Sequence, residues 1–375
     1  MVEIIDKGVI VKNPKPHLYA DHATMAGLVP LSEDEFLCVY QRGPAAESPD
    51  SYYAKCRSLD GGKTYVDEGP LWDKKSEEKL YSYIYGYPIL MEDGTLILGG
   101  FRWDRSGPDE DVYNPETKGA VPCEILISRS IDKGRTWSLP QIIKSPEGRT
   151  GNTSSRIITL HDGRLLMPVE TWKAWDDPEP PMQSSVVLYS SDKGETWDEY
   201  SVAAHDPTGH VLYWNGMFTR LQDKRIFVMY WAKDYHSGQD CNIKATWSPD
   251  EGRTWQEPYD TGIAGQMGSS IDIGRNRVLA VYNRRDLEGP GIYVSISEDG
   301  GETWPNFEAH TLIWDARGRD ILGDRDREHT SIYEEGLFAF GKPDAVLLPN
   351  GQVYIGFWVT VAFVRHLRWI KLQIE

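Results

Sequence analysis

Six stretches of the chain repeat one pattern: an apolar run, a short polar turn and a second apolar run. They are MAGLVPLSEDEFLCVYQR, YGYPILMEDGTLILGGFR, SSRIITLHDGRLLMPVET, NGMFTRLQDKRIFVMYWA, MGSSIDIGRNRVLAVYNR and FGKPDAVLLPNGQVYIGFWV. Asp-Gly, Asn-Gly and Gly-Arg-Asn between runs rich in β-branched and aromatic residues signal tight hairpins. Each stretch therefore predicts two antiparallel strands.

A second repeat follows the first five hairpins. It reads SLDGGKTY from Ser58, SIDKGRTW from Ser130, SSDKGETW from Ser190, SPDEGRTW from Ser248 and SEDGGETW from Ser297. In each box an Asp stands two residues before a Gly, so a short carboxylate can accept backbone N–H groups while the glycine takes a left-handed turn. The Thr and the aromatic residue begin the next strand, and the indole packs between neighbouring sheets with its N–H turned to a partner. Self-similar units at intervals of tens of residues predict blades of a ring rather than a single layered core. The sixth unit has no box. It ends in FVRHLRWIKLQIE, a third strand, and Val9 to Val11 with their apolar neighbours supply the missing outer strand by closing the two ends of the chain in one sheet.

The box is identified as the Asp-box, and the chain resembles the sialidase-like superfamily. That resemblance implies an all-β, six-bladed β-propeller of four-stranded antiparallel blades, with each box between the third and fourth strands, away from the active site. One domain spanning 1–375 is expected. The resemblance also marks differences. The first blade reads YADHATMAGLVP with no Arg-Ile-Pro motif, Asn215 and Gln266 stand where family arginines are expected, and Lys342 stands near the family's nucleophilic tyrosine.

Composition narrows the partners. A formal charge of −17 argues against nucleic acid or an anionic membrane, both of which demand a basic face. No apolar run is long enough to span a bilayer. MVEIIDKGVIVKNPKP lacks the basic and apolar segments of a signal peptide, so the expectation is a cytoplasmic protein, or a secreted or periplasmic one whose leader was removed. Cys38, Cys56, Cys123 and Cys241 lack metal-ligand spacing, and no cofactor or metal cluster is expected, a calcium ion held by main-chain carbonyls being left open. Oligomeric state is open.

In a propeller the residues opening each inner strand and closing each second strand ring one mouth. Aligning the hairpins puts Asp21, His22, Gln41 and Arg42 there from blade one, and Tyr85, Tyr87, Arg102, Asp104 and Arg105 from blade two. Blade three gives Asn152, Ser154, Arg156, Glu170 and Trp172, and blade four gives Tyr213, Asn215, Lys233 and Asp234. Gln266, Arg284 and Arg285 come from blade five, and Lys342, Asp344 and Trp358 from blade six. Arg42, Arg102, Arg156 and Arg284 present planar forks suited to a carboxylate. With Asn215, Gln266, Lys342, Trp172 and Trp358 they form the expected substrate-binding set.

Two chemistries fit. In glycoside hydrolysis a carboxylate pair acts across the scissile bond, with Glu170 first and Asp21 or Asp104 among its partners. In β-elimination from a uronate His22 is the base, an Arg or Lys342 neutralises the carboxylate, and Tyr85 or Tyr87 is the acid. The primary expectation is an exo-acting glycoside hydrolase taking a terminal, anionic sugar from a glycan. The lyase, or a propeller that binds glycan or peptide without cleaving it, is the alternative. The insert Gly318–Thr330, with Arg325 and His329, is read as a solvated loop or a lid.

Overall fold

The computed structural model describes residues 1–15, 18–45, 48–73, 79–107, 111–146, 149–285, 288–317, 339–361 and 364–375. The expected lid segment, Arg325 and His329 included, lies outside the described residues. Six antiparallel sheets follow one another around an axis. Blade one is β2 (His22–Pro30), β3 (Phe36–Gly43), β4 (Tyr52–Ser58) and β5 (Val66–Pro70) in spatial order. Blade two is β6 (Tyr81–Leu90), β7 (Leu96–Asp104), β8 (Cys123–Ser130) and β9 (Gln141–Ile143).

In blade three the inner strand is broken into β10 (Thr150–Asn152) and β11 (Ile158–Thr159), both paired with β12 (Leu165–Trp172); β13 (Ser184–Ser190) and β14 (Glu199–His205) follow. Blade four is β15 (Val211–Arg220), β16 (Ile226–Asp234), β17 (Asn242–Ser248) and β18 (Tyr259–Ala264). Blade five is β19 (Gln266–Gly274), β20 (Arg277–Arg284), β21 (Gly291–Ser297) and β22 (Thr311–Asp315).

Blade six closes the ring as expected. Its strands β23 (Phe340–Leu347), β24 (Val353–Val361) and β25 (Val364–Ile374) are completed by β1 (Val2–Val11), with Val2 opposite Ile374 and Val11 opposite Leu367. All of Val2–Val11, and not only its last three residues, joins the sheet.

The hairpin turns behave as their letters demand. Gly94, Gly163 and Gly351 take positive φ, and blade five turns on Arg275 and Asn276 with φ 57 and 59, the primed geometry that matches strand twist. The core is a set of seams. One cluster joins Leu37, Val39 and Tyr53 of blade one to Tyr83, Leu96 and Leu98 of blade two. The same arrangement recurs between each later pair of blades.

The boxes plug these seams at the end of the ring away from the mouth. In SIDKGRTW, Asp132 Oδ1 accepts the Thr136 N–H at 2.9 Å, Thr136 Oγ1 donates to Oδ2 at 2.6 Å, and the Gly134 N–H donates to Ser130 Oγ at 2.8 Å. The Trp137, Trp197 and Trp255 indoles donate to Gly134, Gly194 and Gly252 carbonyls at 3.1, 3.0 and 2.7 Å. Tyr65, where blade one lacks the Trp, meets the Tyr354 hydroxyl at 2.9 Å across the blade six to blade one seam.

Candidate functional site

The mouth is shaped by one backbone device used repeatedly. In β2, β6, β15, β19 and β23 the pairing register slips after the first few residues, and the slip brackets Met25, Tyr85, Asn215, Gly268 and Lys342 in turn. A bulge inserts an extra residue and re-aims side chains, here at matching heights around the axis. Met25, Tyr85, Asn215 and Lys342 sit there with φ of 55, 55, 50 and 44. Left-handed backbone is a strain for side chains of this bulk. Each bulge needs room behind it: a Cβ on Gly27 would lie 2.2 Å from the Gly86 carbonyl oxygen.

The re-aimed side chains meet on the axis. Lys342 Nζ lies 4.9 Å from the centroid of the Tyr85 ring, which stacks on Tyr87 at 6.3 Å with an interplanar angle of 12°. The Arg156 guanidinium stands 5.6 Å from the Tyr87 centroid, donates to the Pro88 carbonyl at 2.9 Å and forms an ion pair with Asp344. Asp344 Oδ2 also accepts the Leu28 N–H at 2.8 Å. Burial pushes the Asp344 carboxyl above its ordinary range, against the opposing pull of Arg156 and Lys342.

Glu170 reaches the neighbouring bulge. Its Oε1 accepts from Ser154 Oγ at 2.6 Å and from the Gly216 N–H at 3.0 Å, so one carboxylate oxygen ties blade three to blade four. Trp172, two residues on, is buried against Trp214 with ring centroids 4.9 Å apart and donates from Nε1 to the Lys118 carbonyl. Gln266 Nε2 donates to Asp240 Oδ2 at 2.9 Å, spanning blades four and five.

On the blade six to blade one side, His22 Nδ1 accepts the Arg365 N–H at 3.4 Å, and the Arg365 guanidinium lies 3.9 Å from the Trp358 ring centroid. Burial first, and the Arg365 charge second, lower the His22 pKa, which leaves a neutral imidazole near pH 7. Arg285 donates from Nε and Nη2 to the Phe340 carbonyl at 3.0 and 2.6 Å, latching blade five to blade six.

The four arginines expected to clamp one anion do not converge. Arg42 closes its fork on Asp21, at 2.9 and 2.7 Å, and spends Nη1 on Asp67 of the outermost strand at 2.7 Å. Arg102 donates to Glu124 and to the Tyr83 hydroxyl and lies 3.6 Å from the Tyr81 ring centroid. Arg284 stands 4.2 Å from the Phe307 ring centroid, in the connection before β22. These three close second strands, and the partners named here lie within the side chain's own blade. Arg156 alone of the four reaches the axis. Asp21 is likewise committed to Arg42, and Asp104 to Lys79 and Ser106, so neither faces Glu170 as a partner.

Met25, the Gly216 N–H and Arg365 are site groups that the expected mouth set does not include. A glycine inside an apolar strand, as in Tyr85-Gly86 or Asn215-Gly216, is the signal that marks such a bulge.

The family model that matches the chain is the BNR repeat-like domain, over residues 111–355, more than half of its length. The chain belongs to the BNR repeat-like family. Among relatives, a Clostridium perfringens sialidase is 24% identical over 241 residues, covering 58% of this chain and 59% of that one. A Bacteroides fragilis sialidase is 24% identical over 334 residues, covering 78% and 56%. The chain thus spans somewhat over half the length of these two relatives. Two solved structures share the fold. A Dyadobacter fermentans protein of unknown function has a TM-score of 0.75 at 21% identity, with 100% and 99% of the chains covered. The Hadza microbial sialidase Hz136 has a TM-score of 0.63 at 17% identity, with 93% and 65% covered. Together with the fold, these place this BNR repeat-like chain in the sialidase-like superfamily.

Proposed function

We propose that the axial mouth binds and cleaves a terminal anionic sugar of a glycan, as an exo-acting glycoside hydrolase. The observation that carries this reading is the axial array itself, in which Lys342 and Arg156 stand against the Tyr85 and Tyr87 rings beside the buried carboxylates Asp344 and Glu170. Cations suit a sugar carboxylate, aromatic faces suit the apolar side of a pyranose, and a fixed carboxylate suits the reacting carbon. The sialidase relatives support the substrate class.

Within this reading Glu170 is the base or nucleophile. Two donors on Oε1 fix the orientation of its carboxyl, as an aimed base or nucleophile requires. Asp344 serves as a strut, because Arg156 and the Leu28 N–H already hold it.

A second reading rests on His22. Its imidazole is neutral beside the Arg365 charge, and it becomes a base for the proton next to a uronate carboxylate once Nδ1 gives up its long 3.4 Å contact with the Arg365 N–H. One assay separates the two. Purified protein is incubated with sialylated and uronate-containing oligosaccharides. Reducing sugar without new ultraviolet absorbance, abolished by Glu170→Gln, supports the hydrolase. Absorbance from a new double bond, abolished by His22→Ala and kept in Glu170→Gln, supports the lyase. No product from either set counts against both.

A further inference from the structure

A departing glycosidic oxygen needs a proton, and the carboxylates of the mouth are engaged elsewhere. Glu170 is held as an acceptor and Asp344 is paired with Arg156. Tyr85 and Lys342 stand beside them on the axis. They come from blades two and six, which blade one separates, and both occupy left-handed backbone in inner-strand bulges. Bulky residues keep such a conformation where the surrounding structure enforces it, and these positions cluster at working sites. The two strained residues meet, with Lys342 Nζ 4.9 Å from the Tyr85 ring centroid and the Lys342 side chain buried.

We propose that Tyr85 is the proton donor of the mouth and that Lys342 stabilises its phenolate once the proton has left. This rests on the glycan-cleaving reading above. Among the groups facing Tyr85, Lys342 favours the anion, while burial against neutral rings opposes it. Lys342 lies against its ring and Tyr87 stacks on it, with Phe101 at 5.7 Å. Arg156 stands beyond Tyr87, and Arg285 is latched to the Phe340 carbonyl beside Gly341, next in the chain to Lys342. Asp344 is the carboxylate near Lys342, and its charge is shared with Arg156. An ammonium beside a phenol lowers the cost of ionisation, and an acid nearer neutrality transfers its proton more effectively.

The step balances. The Tyr85 O–H bond breaks as the glycosidic C–O bond breaks, and the leaving oxygen keeps the bonding pair and takes the proton; the anomeric carbon gains its new bond from Glu170, or from a water that Glu170 deprotonates, and water in the end supplies the hydroxyl on that carbon and the proton that restores Tyr85. No oxidation occurs. The same donor serves hydrolysis or elimination.

The first test needs no substrate. Near-ultraviolet titration of the full chain should show one tyrosine ionising at least about tenfold more readily than a free phenol of pKa about 10. Tyr85→Phe should remove that tyrosine, Lys342→Met should return it to the ordinary range, and Lys342→Arg should retain it. Absence of an early tyrosine in the wild type, or its persistence in Tyr85→Phe, overturns the proposal. Should Tyr85→Phe fail to fold, the two Lys342 variants still decide.

The second test reads the proton. Tyr85→Phe should lower kcat about 100-fold or more on an oligosaccharide while sparing a dinitrophenyl glycoside of the same sugar, whose leaving group needs no proton. Equal losses on both, or undiminished turnover, overturn the donor role and leave the hydrolase reading standing. An early tyrosine in a protein that cleaves no glycan instead sinks the hydrolase reading on which the donor role depends.

Discussion

Arg156 and Asp344 form an ion pair across the ring, joining blade three to blade six, its opposite. The pair spans the axis, where Arg156 also donates to Pro88 of blade two and Asp344 accepts from Leu28 of blade one. Four blades are thus tied at one point beneath the mouth.

Removing one partner of a buried pair leaves an uncompensated charge. Arg156→Met should destabilise the protein by about 3 kcal/mol or more, whereas Arg156→Met with Asp344→Asn should recover most of the loss. Urea unfolding of both variants checks this. Equal stability of the single and double variants would refute a strut at this place.

Arg42 invites the opposite expectation. Its fork is closed on Asp21 and Asp67, partly exposed to water, so Arg42→Ala should cost about 1 kcal/mol or less in stability. KM on any substrate should be unchanged. A KM rise of tenfold or more would return Arg42 to the binding site.

The boxes make stability acid-sensitive in a defined window. Asp60, Asp132 and Asp192 are held down to about 2, first by the hydroxyls of Thr64, Thr136 and Thr196 and then by the same residues' N–H groups. A carboxyl depressed on folding contributes stability that is present above its unfolded pKa of about 3.9 and is lost as pH falls through the folded value. The urea midpoint should therefore drop between about pH 4 and pH 2. Asp132→Asn and Asp192→Asn should each flatten that drop.

Gly27 tests the bulges. Its Cβ would press on the Gly86 carbonyl oxygen, which is backbone and cannot swing aside. Gly27→Ala should cost about 1–3 kcal/mol by forcing blades one and two apart, read as a lowered thermal midpoint. An unchanged midpoint would mean that the inner strands slide freely.

The ring was readable because its signals are local. Period-two apolar runs, Asp-Gly turns and the box all act within a dozen residues, and the Val9–Val11 strand was inferred from the missing box of the sixth unit. The mouth was harder, because letters alone do not state which way a side chain turns. Arg42, Arg102 and Arg156 are all expected at the mouth, yet Asp67 on the outermost strand and Glu124 opposite Arg102 on β8 hold the first two within their own blades while Asp344 draws the third inward. Tyr85 and Lys342 meet only because two bulges, each one residue long, rotate them.

The pairing of Val2–Val11 with β25 carries a kinetic meaning. The first strand emerges long before β25, its sheet neighbour among the described residues, and Ile10, buried in the closed ring, stays uncovered until then. Closing the circle joins strands far apart in the chain, a contact whose loop-closure cost makes it a late step of folding. Until that step one seam of the ring stands open.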